Sequence, residues 1–132
     1  MQEYKPNKKI PCVYMRGGTS KALFFHDKDL PQETDKRDAV VLSAFGSPDR
    51  RQIDGVGGAN TSTSKCAVIS PSKLSNADID YEFYQVDINA PIVGKTMNCG
   101  NISSAVGPFA IDEGLVKAIE PITKVRIFRL IV

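Results

Sequence analysis

The sequence predicts an α+β domain in which a mixed β-sheet wraps around a helix. Two observations carry this. Most apolar segments are short and bounded by glycine, proline or polar clusters, as strands are, whereas only two stretches carry helix-length patterns with start and stop signals. In addition, 132 residues with 42% apolar and 24% charged side chains are enough for one hydrophobic core in one domain.

The elements follow in order. Ile10–Met15 is a short apolar run that predicts a strand, ended by the turn Arg16-Gly17-Gly18-Thr19-Ser20, and Lys21–Phe25 resumes as a second strand. Thr34 or Asp35 is expected to cap a helix over Lys36–Phe45, with Gly46 as its stop and Pro48 beyond. Asp54–Ser64, "DGVGGANTSTS", holds three glycines and four hydroxyl residues in eleven positions and reads as a long functional loop. Strands are expected over Lys65–Ser70, Ile79–Ile88, Pro91–Thr96 and Lys124–Val132. A second helix starts after Cys99, where Pro108 is expected to kink or reset it. The sequence stops inside a strand pattern, which suggests a domain truncated at its C-terminal end.

Composition excludes several functions. Seventeen basic against fifteen acidic residues give a net charge of +2, too little for a nucleic-acid footprint or a polybasic membrane patch. Met1–Lys9 is polar, and no stretch approaches the ~18 apolar residues of a membrane span, so a cytoplasmic protein is expected. Cys12, Cys66 and Cys99 form no CxxC pair and His26 is the only histidine, which argues against a metal site and a disulfide framework. Cys12 and Cys66 fall within strand patterns and read as packing residues; His26 reads as a surface residue.

Cys99 is different. It sits in Asn98-Cys99-Gly100-Asn101, where the free N–H groups of a helix N-terminus favour an anion, either a thiolate or a substrate carboxylate. The same field activates a thiol. Gly100 would let backbone approach a ligand, while Asn98 and Asn101 offer donors without bulk. Lys65 closes the hydroxyl-rich loop at the mouth of an apolar strand, where partial desolvation would make it a usable base. Arg16–Lys21 could form an anion nest; it lacks the GxxxxGKS/T spacing of a Walker loop, and Gly55–Gly58 is no dinucleotide fingerprint. A thiol, an amine, hydroxyls and backbone donors, with no cofactor signature, suit moving a proton on a small carboxylate.

"MRGGTSKALFF" (15–25), "GSPDRRQIDGVGG" (46–58), "TSKCAVI" (63–69) and "NCGNISSAVGPFAIDEGLV" (98–116) together resemble the PrpF family. Its members include 2-methylaconitate cis-trans isomerase, 3-methylitaconate Δ-isomerase and 4-oxalomesaconate tautomerase. The resemblance implies the diaminopimelate epimerase-like fold, two similar domains flanking a cleft, of which this chain would be the N-terminal one. It implies cofactor-independent isomerisation of a small unsaturated carboxylate, with Lys65 and Cys99 as the proton-transfer pair. Arg16, Gly17, Thr19, Ser20, Ser64, Asn98, Gly100 and Asn101 would hold substrate. Cys66 replaces a common valine, and Ala22 replaces a usual glycine and would tighten its turn. A missing second domain implies either a homo-oligomer, a complementing second-domain chain, or a silent fragment. An amino-acid racemase of the same fold pairs two cysteines, and Lys65 argues against that chemistry.

Overall fold

The computed structural model describes residues 8–131; the polar opening at 1–7 and the end of the last predicted strand at Val132 lie outside the described residues. Strand β1 (Val13–Gly17) and strand β2 (Ser20–His26) form an antiparallel hairpin in which Gly17 pairs with Ser20. The two-residue loop places Gly18 first, at φ +52°, the left-handed conformation such hairpins need. Ala22 stands inside β2, fully buried, and not in a turn as expected.

From β2 the chain crosses through helix α1 (Thr34–Phe45) to strand β3 (Lys65–Pro71), which lies parallel to β2 with Ala22 beside Lys65. A parallel pair needs such a crossover. Gly46 ends α1 at φ +79°, its N–H on Ser43 O. The N-cap is Glu33, with no side-chain cap bond, so Thr34 and Asp35 belong to the first turn instead. Strand β4 (Ile79–Val86) returns antiparallel to β3. Its far edge is shared by strand β5 (Val93–Gly94), much shorter than the predicted Pro91–Thr96, and by the parallel strand β6 (Ile127–Leu130). Helix α2 (Gly100–Asp112) lies between them in sequence and runs through Pro108 without a reset. Pro108 is exposed, so its missing N–H falls on the solvent side.

The six-stranded sheet is buried on both faces because β2, β3 and β4 alternate large apolar residues in both directions. Ala22, Phe24, Ala67, Ile69, Tyr81 and Phe83 pack against Ile102, Val106 and Phe109 of α2. Leu23, Phe25, Cys66, Val68 and Tyr84 pack on the other side with Val41 and Phe45 of α1. Cys66 is a packing residue, as read from the sequence. Cys12 is not: it is exposed ahead of β1. His26 is also no free surface residue. Its Nε2 lies 2.8 Å from Glu113 Oε1 and its ring 5.2 Å from that of Phe109, tying the end of β2 to the end of α2. Large apolar side chains stand exposed along the closing segment, among them Ile119, Ile122, Phe128 and Ile131.

Candidate active site

Strand parity builds the site. Ser20 shares its face with Ala22 and Phe24, and Lys65 shares its face with Ala67 and Ile69, so both side chains start toward α2. Because β2 and β3 are parallel, both residues open their strands at one end of the sheet. Cys99 arrives there as the N-cap of α2, extended at φ −134° and ψ 103°. Lys65 Nζ donates to Ser20 Oγ at 2.9 Å and contacts Cys99 Sγ at 3.2 Å.

The thiol also accepts from the Ile102 N–H at 3.5 Å, taking the place of the usual hydroxyl or carboxylate cap. Its own carbonyl is held twice by Ser103, through N–H at 3.0 Å and through the hydroxyl at 2.9 Å. Burial works to raise the Cys99 thiol. The Ile102 N–H, the Lys65 ammonium and Ser20 outweigh it and hold the thiol below its ordinary range. Cys66 shows the opposite case: full burial, only partly offset by Arg37, pushes its thiol far up. Only one of the two sulfurs in the core is therefore electrostatically prepared.

The hairpin loop closes on the same helix end. A Cβ on Gly17 would lie 2.4 Å from Asn101 O, and one on Gly18 would lie 2.2 Å from Asn101 Oδ1. Thr19 N–H donates to that Oδ1 at 3.5 Å. Gly17 is thus required by the close approach of the Asn101 backbone, and Gly18 by its positive φ and the Asn101 side chain. Gly100 is not: a Cβ there meets nothing within 4 Å, and its φ is not left-handed. Neither packing nor backbone conformation explains that glycine, which keeps open space over the first turn of α2. The first-turn N–H groups of Gly100 and Asn101 have no intrahelical acceptor. Asn98, Gly100 and Asn101 are exposed around this opening.

Two expected members lie elsewhere. Arg16 alternates with Met15 and Gly17 to the far side of the hairpin, paired with Lys21 and exposed. Ser64 is fully buried, its hydroxyl turned to Gln52 Oε1 at 3.0 Å and Gly57 O at 3.2 Å. The sequence reading missed Gln52. Buried, at φ +46°, it donates to Ser47 Oγ at 3.0 Å and accepts from the Ala59 N–H at 2.8 Å, so it forms the core of the loop that delivers Lys65. A long amide in a loop rich in small residues was the available signal. Among the described residues no three His, Cys, Asp or Glu side chains group as metal ligands, and no helix is long and apolar enough to cross a membrane.

The fold and this cluster define a class: a diaminopimelate epimerase-like domain with a lysine–cysteine pair at the mouth of its buried helix. Comparison with known proteins agrees. A solved methylitaconate-delta-isomerase superposes with a TM-score of 0.90 at 56% identity, over 92% of this chain and 31% of that one. The model of the PrpF protein family matches residues 7–132, and the chain belongs to that family. The 3-methylitaconate isomerase of Eubacterium barkeri is 57% identical over 90% of this chain and 31% of its own length. The (4E)-oxalomesaconate Delta-isomerase of Novosphingobium sp. (strain KA1) is 54% identical over 89% of this chain and 33% of its own. The chain spans about a third of the length of the curated relatives it matches.

Proposed function

We propose that the chain carries the proton-transfer site of a cofactor-independent isomerase acting on a small unsaturated di- or tricarboxylate in the cytoplasm. The observation that carries this is the 3.2 Å contact of Lys65 Nζ with Cys99 Sγ beneath the open first turn of α2. Methylitaconate, oxalomesaconate and 2-methylaconitate define the substrate class, since relatives named for the first two are 57% and 54% identical to this chain.

In this reading a substrate carboxylate lies over Gly100, on the N–H groups of Gly100 and Asn101 and the side chains of Asn98, Asn101 and Thr19. An allylic C–H is acidified by conjugation through the double bond. Lys65 takes that proton after passing one of its own to Cys99 Sγ, 3.2 Å away; the C–H electron pair delocalises into a dienolate, stabilised by the helix-end donors. A proton returned to the same or another carbon moves the double bond or changes its geometry. Cys99 supplies or receives it, with Ser20 bridging the amine. Arg16 and Ser64 have no part, given where their side chains lie. The half-open site is completed by a second domain or a partner copy.

Proton exchange tests this. The chain is incubated with methylitaconate and with 2-methylaconitate in D2O and the allylic hydrogens are followed by NMR. Exchange in the wild type that is lost in Lys65→Ala is the expected result. Exchange that persists in Lys65→Ala would sink the assignment of the base. No exchange with either substrate favours the second reading, a silent portion of the enzyme that needs its remaining domain.

A further inference from the structure

One polar side chain on the helix-facing side of the sheet has no part in the chemistry above. In the β3–β4 register Gln85 stands directly opposite Lys65. It shares strand parity with Tyr81 and Phe83, which pack in the α2 cluster, whereas Tyr84 and Val86 pack on the α1 side. Gln85 and Lys65 are therefore neighbours on one face, and residues paired this way hold their Cβ atoms about 5 Å apart.

The amide is spent on backbone. Gln85 Nε2 donates to Thr61 O at 3.0 Å and to Ser64 O at 3.1 Å. Two carbonyl acceptors can face only the NH2 end of an amide, so the chemistry fixes its orientation. Ser64 O also accepts the Val86 N–H at 2.9 Å, so β4 supplies donors to both of its lone pairs. From the other flank the Lys21 N–H of β2 holds Ser62 O at 2.9 Å. The turn leading into Lys65 is thus clamped between the two strands that border β3. Gln52 fixes the interior of the loop through the Ser64 hydroxyl, and Gln85 fixes its exit through the Ser64 carbonyl. That exit matters because a lysine stem is four flexible carbons. Whether Nζ stays 2.9 Å from Ser20 Oγ and 3.2 Å from Cys99 Sγ depends on where the stem starts.

We propose that Gln85 is a positioning residue for Lys65: by donating to both Thr61 O and Ser64 O it fixes the entry to β3, and so keeps Nζ on Cys99 Sγ. Its effect on the reaction passes entirely through the lysine. The inference rests on the reading of Lys65 and Cys99 as the proton-transfer pair. A small displacement of a catalytic group is costly in rate, which gives a strand glutamine beside that lysine a reason to be there.

The test is Gln85→Met in the whole chain, which keeps the length of the side chain and removes both donors. Cys99 ionisation is read as thiolate absorbance against pH, each protein against its own Cys99→Ser counterpart. A lysine that drifts from the thiol should raise the midpoint and lower the thiolate-to-thiol ratio at neutral pH by about threefold or more. Gln85→Asn, an amide on a stem one methylene shorter, should fall between wild type and Gln85→Met. In a Lys65→Met background the same Gln85→Met change should leave the titration where it is, because the amide reaches the thiol only through the lysine. Hydrogen exchange at the Lys21 amide, which donates to the clamped turn, should accelerate in Gln85→Met. An unmoved Cys99 titration in Gln85→Met, even with a lowered melting temperature, overturns the proposal and leaves Gln85 a stabilising residue only. So does an equal shift in the Lys65→Met background. Because neither readout is turnover, failure of the isomerase reading would show as absent proton exchange with these results intact.

Discussion

Replacing Lys65 by methionine keeps a stem of similar bulk and removes the ammonium that lies 3.2 Å from Cys99 Sγ. Coulomb's law at an effective dielectric constant of ~20 puts two full charges at that distance near 5 kcal/mol, and desolvation of both groups cuts this down. A charge-assisted hydrogen bond of about 1.5–3 kcal/mol is the usable figure. At about 1.4 kcal/mol per factor of ten, Lys65→Met should lower the thiolate-to-thiol ratio of Cys99 by roughly ten- to a hundredfold at fixed pH. The Ile102 N–H survives the substitution, so part of the stabilisation should persist. The sign also predicts a stability profile. The folded thiol ionises at lower pH than the unfolded one, near 9.0. Its contribution is therefore fully present above the unfolded value and is lost as pH falls through the folded one. The assay is thiolate absorbance between pH 5 and 10 for wild type and Lys65→Met, each against its own Cys99→Ser counterpart, with urea melts at the two ends of that range. Coincident titration curves would refute the coupling, and the proton-transfer pair with it.

Two glycines that look alike in sequence should behave oppositely. Gly17→Ala drives a Cβ to 2.4 Å from Asn101 O, a backbone atom that cannot swing aside, and should cost about 1–3 kcal/mol in chemical denaturation. Gly100→Ala meets nothing within 4 Å; with alanine the better helix former by up to ~1 kcal/mol, it should melt no lower than wild type while weakening carboxylate binding measured by calorimetry. Gln52→Ala strips acceptors from the Ala59 N–H and the buried Ser64 hydroxyl. Denaturant unfolding should show a loss of about 2–4 kcal/mol, and a loss under 1 would mean water replaces the amide.

The sheet with its buried helix was legible because its signals are local. Apolar runs bounded by glycine and proline specify strands, Gly46 stops α1 by adopting φ +79°, and Asn98-Cys99-Gly100 marks a helix entrance whatever surrounds it. Lys65 and Cys99 could be picked out for the same reason: each carries its chemistry in its neighbours along the chain. Boundaries near tertiary contacts were less legible. β5 shrinks to Val93–Gly94, opposite Gln85 and Val86, while β6, from far along the chain, pairs with Ile79–Glu82 on the same edge of β4.

What only the tertiary structure decided is which side chains meet. Strand parity sends Ser20 and Lys65 to the helix while Arg16, four residues before Ser20, goes to the other face. The two serines of the motifs look equivalent on paper. One bridges the lysine, and the other is consumed inside its loop by Gln52. His26 reads as surface until β2 and α2 bring Glu113 and Phe109 onto it. The sequence by itself determined the elements, the chemistry on offer and the family. The fold decided the 3.2 Å contact, because a pKa is set by distance and burial, and residues 34 positions apart acquire both only when parallel strands and a capped helix end at the same place.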